Sequence, residues 1–259
     1  MTAGAPPLTT CRLEVAAGVA TITMARPPVN AQNRAMRVEM TALFDALSDR
    51  DDVRAVILTA EGHVFSAGAD IKERRGMVRK PGDYLDHNRL TREFFLAVAD
   101  CACPVICAVN GPAIGAGCAL MLYSDIMLAS ETAWFQMPEI DVGLAGGGRL
   151  MAEHFGKSWS RLIYFTGRKL PAAELYRQGV ISACLPPADL LPEARRIAAE
   201  IAAKDPQAVR WIKRGFSFAE TMSPREAYRF EQSITQDLST TDAARAAQDS
   251  FVARPRGVE

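Results

Sequence analysis

Apolar and polar residues alternate through residues 11–16 (CRLEVA) and again through 19–24 (VATITM). This period of two on either side of Ala17-Gly18 predicts a hairpin of two strands. From Arg34 the period changes: Met36, Met40, Leu43, Phe44 and Leu47 fall on one face of a helix. Residues 53–59 (VRAVILT) form a β-branched run without alternation, the pattern of a strand buried on both faces. The same order then recurs, with a helix over 90–99, a strand over 104–109 (PVICAV), the body of a short helix over 119–123 and a strand over 125–129 (DIMLA). Strands alternating with helices imply right-handed parallel crossovers and an α/β layered domain. Beyond Gly156 helical periodicity takes over, in segments 157–166, 172–178, 188–203, 206–220, 224–238 and 242–253. Pro171, Pro206 and Pro224 stand where a proline opens a helix.

Composition narrows the function classes. Thirty basic residues balance thirty acidic ones in 259 positions, so no broad cationic field marks a nucleic-acid or acidic-membrane partner. The six cysteines sit mostly in apolar runs without metal-ligand spacing, which predicts buried thiols and no metal site. The segment MTAGAPPLTTCRLEV lacks the features of a signal or transit peptide, and no apolar run approaches about 18 residues. The expectation is a cytoplasmic protein with no membrane span. No repeat and no low-complexity linker is present.

Two segments bring small residues directly after a strand: FSAGADIKE (65–73) after VRAVILT, and GPAIGAGCA (111–119) after PVICAV. Small residues let a backbone approach a ligand, and N–H groups opening a helix face negative charge there. Two such turns side by side could hold one oxyanion between two N–H donors. GAGCAL lacks the third glycine of a dinucleotide fingerprint, and neither turn carries the lysine and hydroxyl of a P-loop.

These two segments, together with FQMPEIDVG and GKSWSRLIYFTGRKLPAAELYRQGVI, resemble in order and spacing the crotonase superfamily of enoyl-CoA hydratases and isomerases. The resemblance implies an α/β spiral of ββα units with a helical C-terminal trimerisation region, here divided as 1–195 and 196–259. It implies an acyl-CoA thioester as substrate, coenzyme A entering as part of it with no tightly bound cofactor, and a homotrimer or homohexamer. Carried onto this chain, Ala69 and Ala116 donate their N–H groups to the thioester oxygen. Ala67, Asp70, Ile71 and Lys72 contact CoA, and Phe251 and Arg254 reach the CoA of a neighbouring subunit.

Hydratases of the superfamily hold a water between two glutamates. The position of the first is Ala119 here, whereas the second is Glu139 in QMPEI. A methyl group neither accepts a proton nor holds a water, so the proton traffic falls to Glu139, for isomerisation or hydration. Burial beside Phe135, Met137 and Ile140 is expected to raise its pKa. Asp141 is a second candidate acid if the segment is extended, since alternation then places it on the side of Glu139. The loop GLAGGGRL is about three residues shorter than its counterparts, which alters the acyl pocket. His63, His87 and His154 form no triad with a serine, although His87 lies in a segment that borders the acyl pocket in the superfamily. Two other classes stay open: C–C cleavage or decarboxylation of a β-keto-acyl-CoA with help from Asp141 or His87, and a non-catalytic CoA-binding or RNA-binding member.

Overall fold

The structure, a computed structural model, describes residues 8–77, 80 and 82–253. Along the chain run β1 (Cys11–Ala16), β2 (Val19–Met24), α1 (Arg34–Ser48), β3 (Ala55–Ala60), α2 (Ile71–Arg74), α3 (Leu85–Ala99), β4 (Val105–Val109), β5 (Ala113–Ile114) and α4 (Ala116–Leu122). Then come β6 (Ile126–Ser130), β7 (Trp134–Gln136), a 3-10 turn (Glu139–Val142), α5 (Gly148–Thr166), β8 (Leu170–Pro171), α6 (Ala172–Arg177) and β9 (Ala183–Leu185). Four helices close the chain: α7 (Pro187–Ala202), α8 (Pro206–Ala219), α9 (Pro224–Ser239) and α10 (Asp242–Ala253).

The hairpin forms as expected, its turn made by Ala17 and Gly18 at φ 50° and 78°. From β2 onward every pairing of the main sheet is parallel, in the order β1-β2-β3-β4-β6-β9. Both faces of the sheet are covered, which explains the unbroken apolar run of β3. Val56 and Leu58 join the large core with Phe44, Phe94 and Val98, whereas Ala55 and Ile57 face Leu190, Ala194 and Ala198 of α7. The expected division at residue 195 therefore falls within a continuous helix that lies on the sheet. The two-residue β8 and three-residue β9 follow Gly156, where strand-like runs were expected nearly to vanish; runs this short carry no readable period.

Beyond the ends of the parallel strands the chain turns and adds rungs to a second, smaller sheet. Bridges Gln32–Ala69 and Ser66–Ala113 lead into β5, which pairs with β7 and through it with β8. Each strand, rung and helix is one coil of a spiral. Gly156, at φ 69° and ψ 172°, interrupts α5 where the sequence suggested a helix start. No helix among the described residues is long and apolar enough to cross a membrane.

Candidate active site

The two small-residue turns are fastened together at the top of this spiral. Ile114 N–H donates to Ser66 O at 2.9 Å, and Ser66 N–H donates to Pro112 O at 3.2 Å. Gly68 (φ +83°) leaves so little room that a Cβ would lie 2.5 Å from Ile114 O and 3.2 Å from Ala116 N; one on Gly117 would lie 2.5 Å from Ser66 O. The glycines are thus spacers that let two backbones touch. The Ala69 and Ala116 N–H groups, which flank this contact, donate no hydrogen bond among the described residues. Ala116 is the first residue of α4, and Asp70 caps α2 by accepting from Lys72 N–H and Glu73 N–H. Both turns therefore end in a helix start.

Glu139 comes to the same place from the other side. Gly115 N–H donates to Gln136 O at 2.8 Å, which draws β7 and the following turn against α4. A Cβ on Gly115 would lie 2.8 Å from Glu139 Oε1, so the carboxylate sits over the residue before Ala116. Its Oε2 is buried without a hydrogen-bond partner, and burial holds the carboxyl above its ordinary range. Of the three apolar neighbours in the chain, Phe135 and Met137 are buried as expected, but Ile140 is half exposed. Ala119, buried in α4, presents only its methyl group. The Glu139 carboxylate and two undonated N–H groups therefore share one small region.

Asp141 does not join them. Residues 139–142 wind into a 3-10 turn instead of extending, so alternation does not apply, and Asp141 Oδ2 lies 2.8 Å from where a Cβ on Gly167 would be. Lys72 and Ile71 are exposed on α2, with Ala67 in the preceding loop, its N–H bonded to Val29 O. The Asp70 carboxylate is held by Arg26 at 2.7 Å in addition to the α2 cap. Phe251 is 74% exposed on α10, and Arg254 lies outside the described residues. His63 is exposed, while the His154 ring sits 2.9 Å from Leu150 O in its own helix. His87 lies within α3, which begins at Leu85 and not at residue 90 as expected.

Three residues near the site were not singled out from the sequence. Gln32, fully buried, donates from Nε2 to Ala116 O at 3.1 Å. Arg37, 1% exposed, donates to Gln32 O at 2.9 Å. Tyr164 has its hydroxyl buried near Gly147, and burial followed by the Glu139 charge raises its pKa. Arg37 lies on the apolar face that Met36, Met40 and Phe44 define, where a helical pattern reads as core. No group of three His, Cys, Asp or Glu side chains among the described residues could hold a metal ion. A recess of ≈ 410 Å³ between the end of α3 and α8 shares no residue with this site.

A spiral of strand, rung and helix that fastens two helix-opening turns beside one buried carboxylate defines the crotonase fold. Residues 14–256 match the family described as Enoyl-CoA hydratase/isomerase, and the chain belongs to that family. It is 36% identical over 236 residues to a (7aS)-7a-methyl-1,5-dioxo-2,3,5,6,7,7a-hexahydro-1H-indene-carboxyl-CoA hydrolase of Rhodococcus jostii, covering 91% of each chain. It is 31% identical over 247 residues to a short-chain-enoyl-CoA hydratase of Clostridium acetobutylicum, covering 93% of each. An enoyl-CoA hydratase structure from Mycobacterium smegmatis superimposes with a TM-score of 0.91 at 27% identity, over 98% of this chain and 99% of that one. Family and relatives together support an acyl-CoA enzyme of the crotonase type.

Proposed function

We propose that this enzyme stabilises the enolate of an acyl-CoA thioester between the Ala69 and Ala116 N–H groups and moves one proton with Glu139. The observation that carries the reading is the Glu139 carboxylate, placed at Gly115 beside Ala116 N–H with Oε2 unpartnered. A thioester oxygen gains negative charge in the transition state, and two fixed donors favour that charge over the neutral carbonyl. In isomerisation of a 3-enoyl-CoA, Glu139 takes a proton from C2, the electron pair delocalises into the thioester oxygen and the double bond, and the proton returns at C4. Nothing is gained or lost. Without an acid at Ala119, hydration through a water held by two glutamates is disfavoured.

A second reading has its own support. The Rhodococcus relative is named as a hydrolase of a dioxo acyl-CoA, and hydrolytic C–C cleavage of a β-keto-acyl-CoA, in which water adds at C3 and the C2 carbon leaves to be protonated, also passes through a thioester enolate. Incubation with 2-enoyl-, 3-enoyl- and β-keto-acyl-CoA esters, read by mass spectrometry, separates these reactions. Water gain marks hydration, unchanged mass with shifted absorbance marks isomerisation, and fragmentation marks cleavage. Unchanged esters throughout would overturn both readings.

CoA is read as part of the substrate, with Ala67, Asp70, Ile71, Lys72, Phe251 and Arg254 as its contacts. Exposed Phe165 on α5, Ile212 and Phe216 on α8, Tyr228 on α9 and Val252 on α10 support a homotrimer or homohexamer formed through the helical region. Light scattering after size exclusion should give three or six times the chain mass of 28.1 kDa; a monomer would refute the assembly. Five buried thiols, with no disulfide among the described residues, support the cytoplasm as location.

A further inference from the structure

Arg37 is a fully buried guanidinium without an ion pair. Among the described residues no carboxylate lies within 4 Å of it, and its Nε has no partner. Nη2 donates to Gln32 O at 2.9 Å, and Nη1 sits 3.4 Å from His87 Nδ1. His87 in turn packs on Tyr84, ring centroids 4.9 Å apart, and the Arg74 guanidinium lies 4.6 Å from the Tyr84 ring centroid. Arg74 likewise forms no ion pair among the described residues.

The nearby acids are engaged elsewhere. Glu73 accepts the Arg34 N–H at 3.0 Å with both oxygens, Asp70 is held by Arg26, and Asp86 is held by the Arg34 guanidinium. Two arginines and a histidine are thus gathered with no carboxylate in contact, the Glu73 and Asp70 charges acting on Arg37, and those of Glu73 and Asp86 on His87, only from farther off. Burial, then the charges of Arg37 and Arg74, lowers the pKa of His87. A buried charge without a contacting counter-ion favours an incoming anion. With a donor at Nδ1 the ring accepts there, which leaves an N–H at Nε2. The Tyr84 hydroxyl and Gln32 Oε1 are also buried without partners. This cluster borders the thioester site, because Gln32, which receives Arg37, bonds Ala116 O and is bridged to Ala69.

We infer that Arg37, Arg74 and His87 form a receptor for a carboxylate carried by the acyl group of the thioester substrate. The inference rests on the acyl-CoA reading above and adds a substrate class to it: acyl-CoA esters with a second, anionic end. Arg offers the paired donors that a carboxylate takes up. A CoA phosphate is the other anion in such a substrate, yet Arg37, 1% exposed, is tied through Gln32 to the thioester turn at Ala116, which favours a group on the acyl portion.

Saturated esters test this without turnover. Calorimetry compares succinyl-CoA with butyryl-CoA, and glutaryl-CoA with valeryl-CoA, with free CoA as reference. The wild type is expected to bind a carboxylated ester at least about tenfold more tightly than its uncharged counterpart. Arg37→Met should bring the ratio to within about twofold without lowering Tm, since the guanidinium it removes is buried without an ion pair. Arg74→Met, at a half-buried position, should reduce the ratio in part and serves if Arg37→Met does not fold. A ratio near one in the wild type overturns the receptor. So does an Arg37→Met variant that weakens all esters and free CoA equally, which would assign the cations to a CoA phosphate. Failure of every ester and of free CoA to bind would instead overturn the acyl-CoA reading on which the receptor rests.

Discussion

Gly68→Ala tests whether close contact between the two turns sets the position of the N–H donors. The new Cβ would stand 2.5 Å from Ile114 O, a backbone atom, whereas real Cβ atoms essentially never approach within 3.0 Å. The turns must therefore separate by at least about 0.5 Å, and oxyanion donors work within a window of roughly 0.4 Å, from about 2.7 to 3.1 Å. Displacing one donor by that much should lower kcat by about 10²-fold, the scale of losing one such hydrogen bond. Gly62→Ala is the matched control, with φ +80° against +83° and nothing within 4 Å of the added methyl. It should show only the left-handed strain of roughly 1–2 kcal/mol, hence a Tm lower by about 2–8 °C and unchanged turnover. Steady-state kinetics and circular dichroism melts on both variants decide the matter. A folded Gly68→Ala enzyme with the turnover of Gly62→Ala would refute the reasoning.

Glu139→Gln should lower kcat/KM by about 10²–10⁴-fold while changing ester binding less than about threefold; full activity would exclude Glu139 as the proton carrier. The sign of its pH effect follows from burial. A carboxyl with a raised folded pKa favours the native state below its unfolded pKa, and that stability is lost as pH rises through the folded value. Glu139→Gln should therefore raise Tm at pH 7 and lose the advantage near pH 4, as read by melts at both; an advantage that grows in acid would contradict this. Ala119→Glu should increase hydration of a short 2-enoyl-CoA, and no gain in a folded variant would make the pocket shape limiting. Lys213, 6% exposed, ties α8 to Cys103 O at 3.0 Å and to Asp125 at 2.8 Å. Lys213→Met should cost about 2 kcal/mol, roughly 4–8 °C in Tm, because Asp125 keeps the Val105 N–H and some solvent; an unchanged Tm would show the pair to be neutral.

The elements with a clear period were legible in the sequence. The hairpin, α1, β3, β4 and the helices from α7 onward carry their signal along their own residues; α1 buries Met36, Met40, Leu43, Phe44 and Leu47 as its spacing named and β3 is buried throughout, whereas α10 buries no residue. The rungs of the second sheet were not legible, since bridges such as Gln32–Ala69 and Ser66–Ala113 join residues far apart in the chain and leave no local pattern. Asp141 shows the limit from another side: alternation has meaning only in an extended segment, and a 3-10 turn starting at Glu139 removes it. Arg37 was passed over because a helical face of Met and Phe reads as core, and only the fold reveals a cation within it.

The central claim is that Glu139 exchanges a proton with a carbon of an enolised thioester. Running the 2-enoyl-, 3-enoyl- and β-keto-acyl-CoA esters in deuterium oxide, with mass spectrometry of the acyl group, tests it directly. In at least one class the wild type should either place solvent deuterium on a carbon from C2 to C4 or, where Glu139 returns the abstracted proton directly, carry deuterium from C2 of a prelabelled ester to C4, and Glu139→Gln should do neither. A wild type that does neither, or equal transfer in both enzymes, would contradict it.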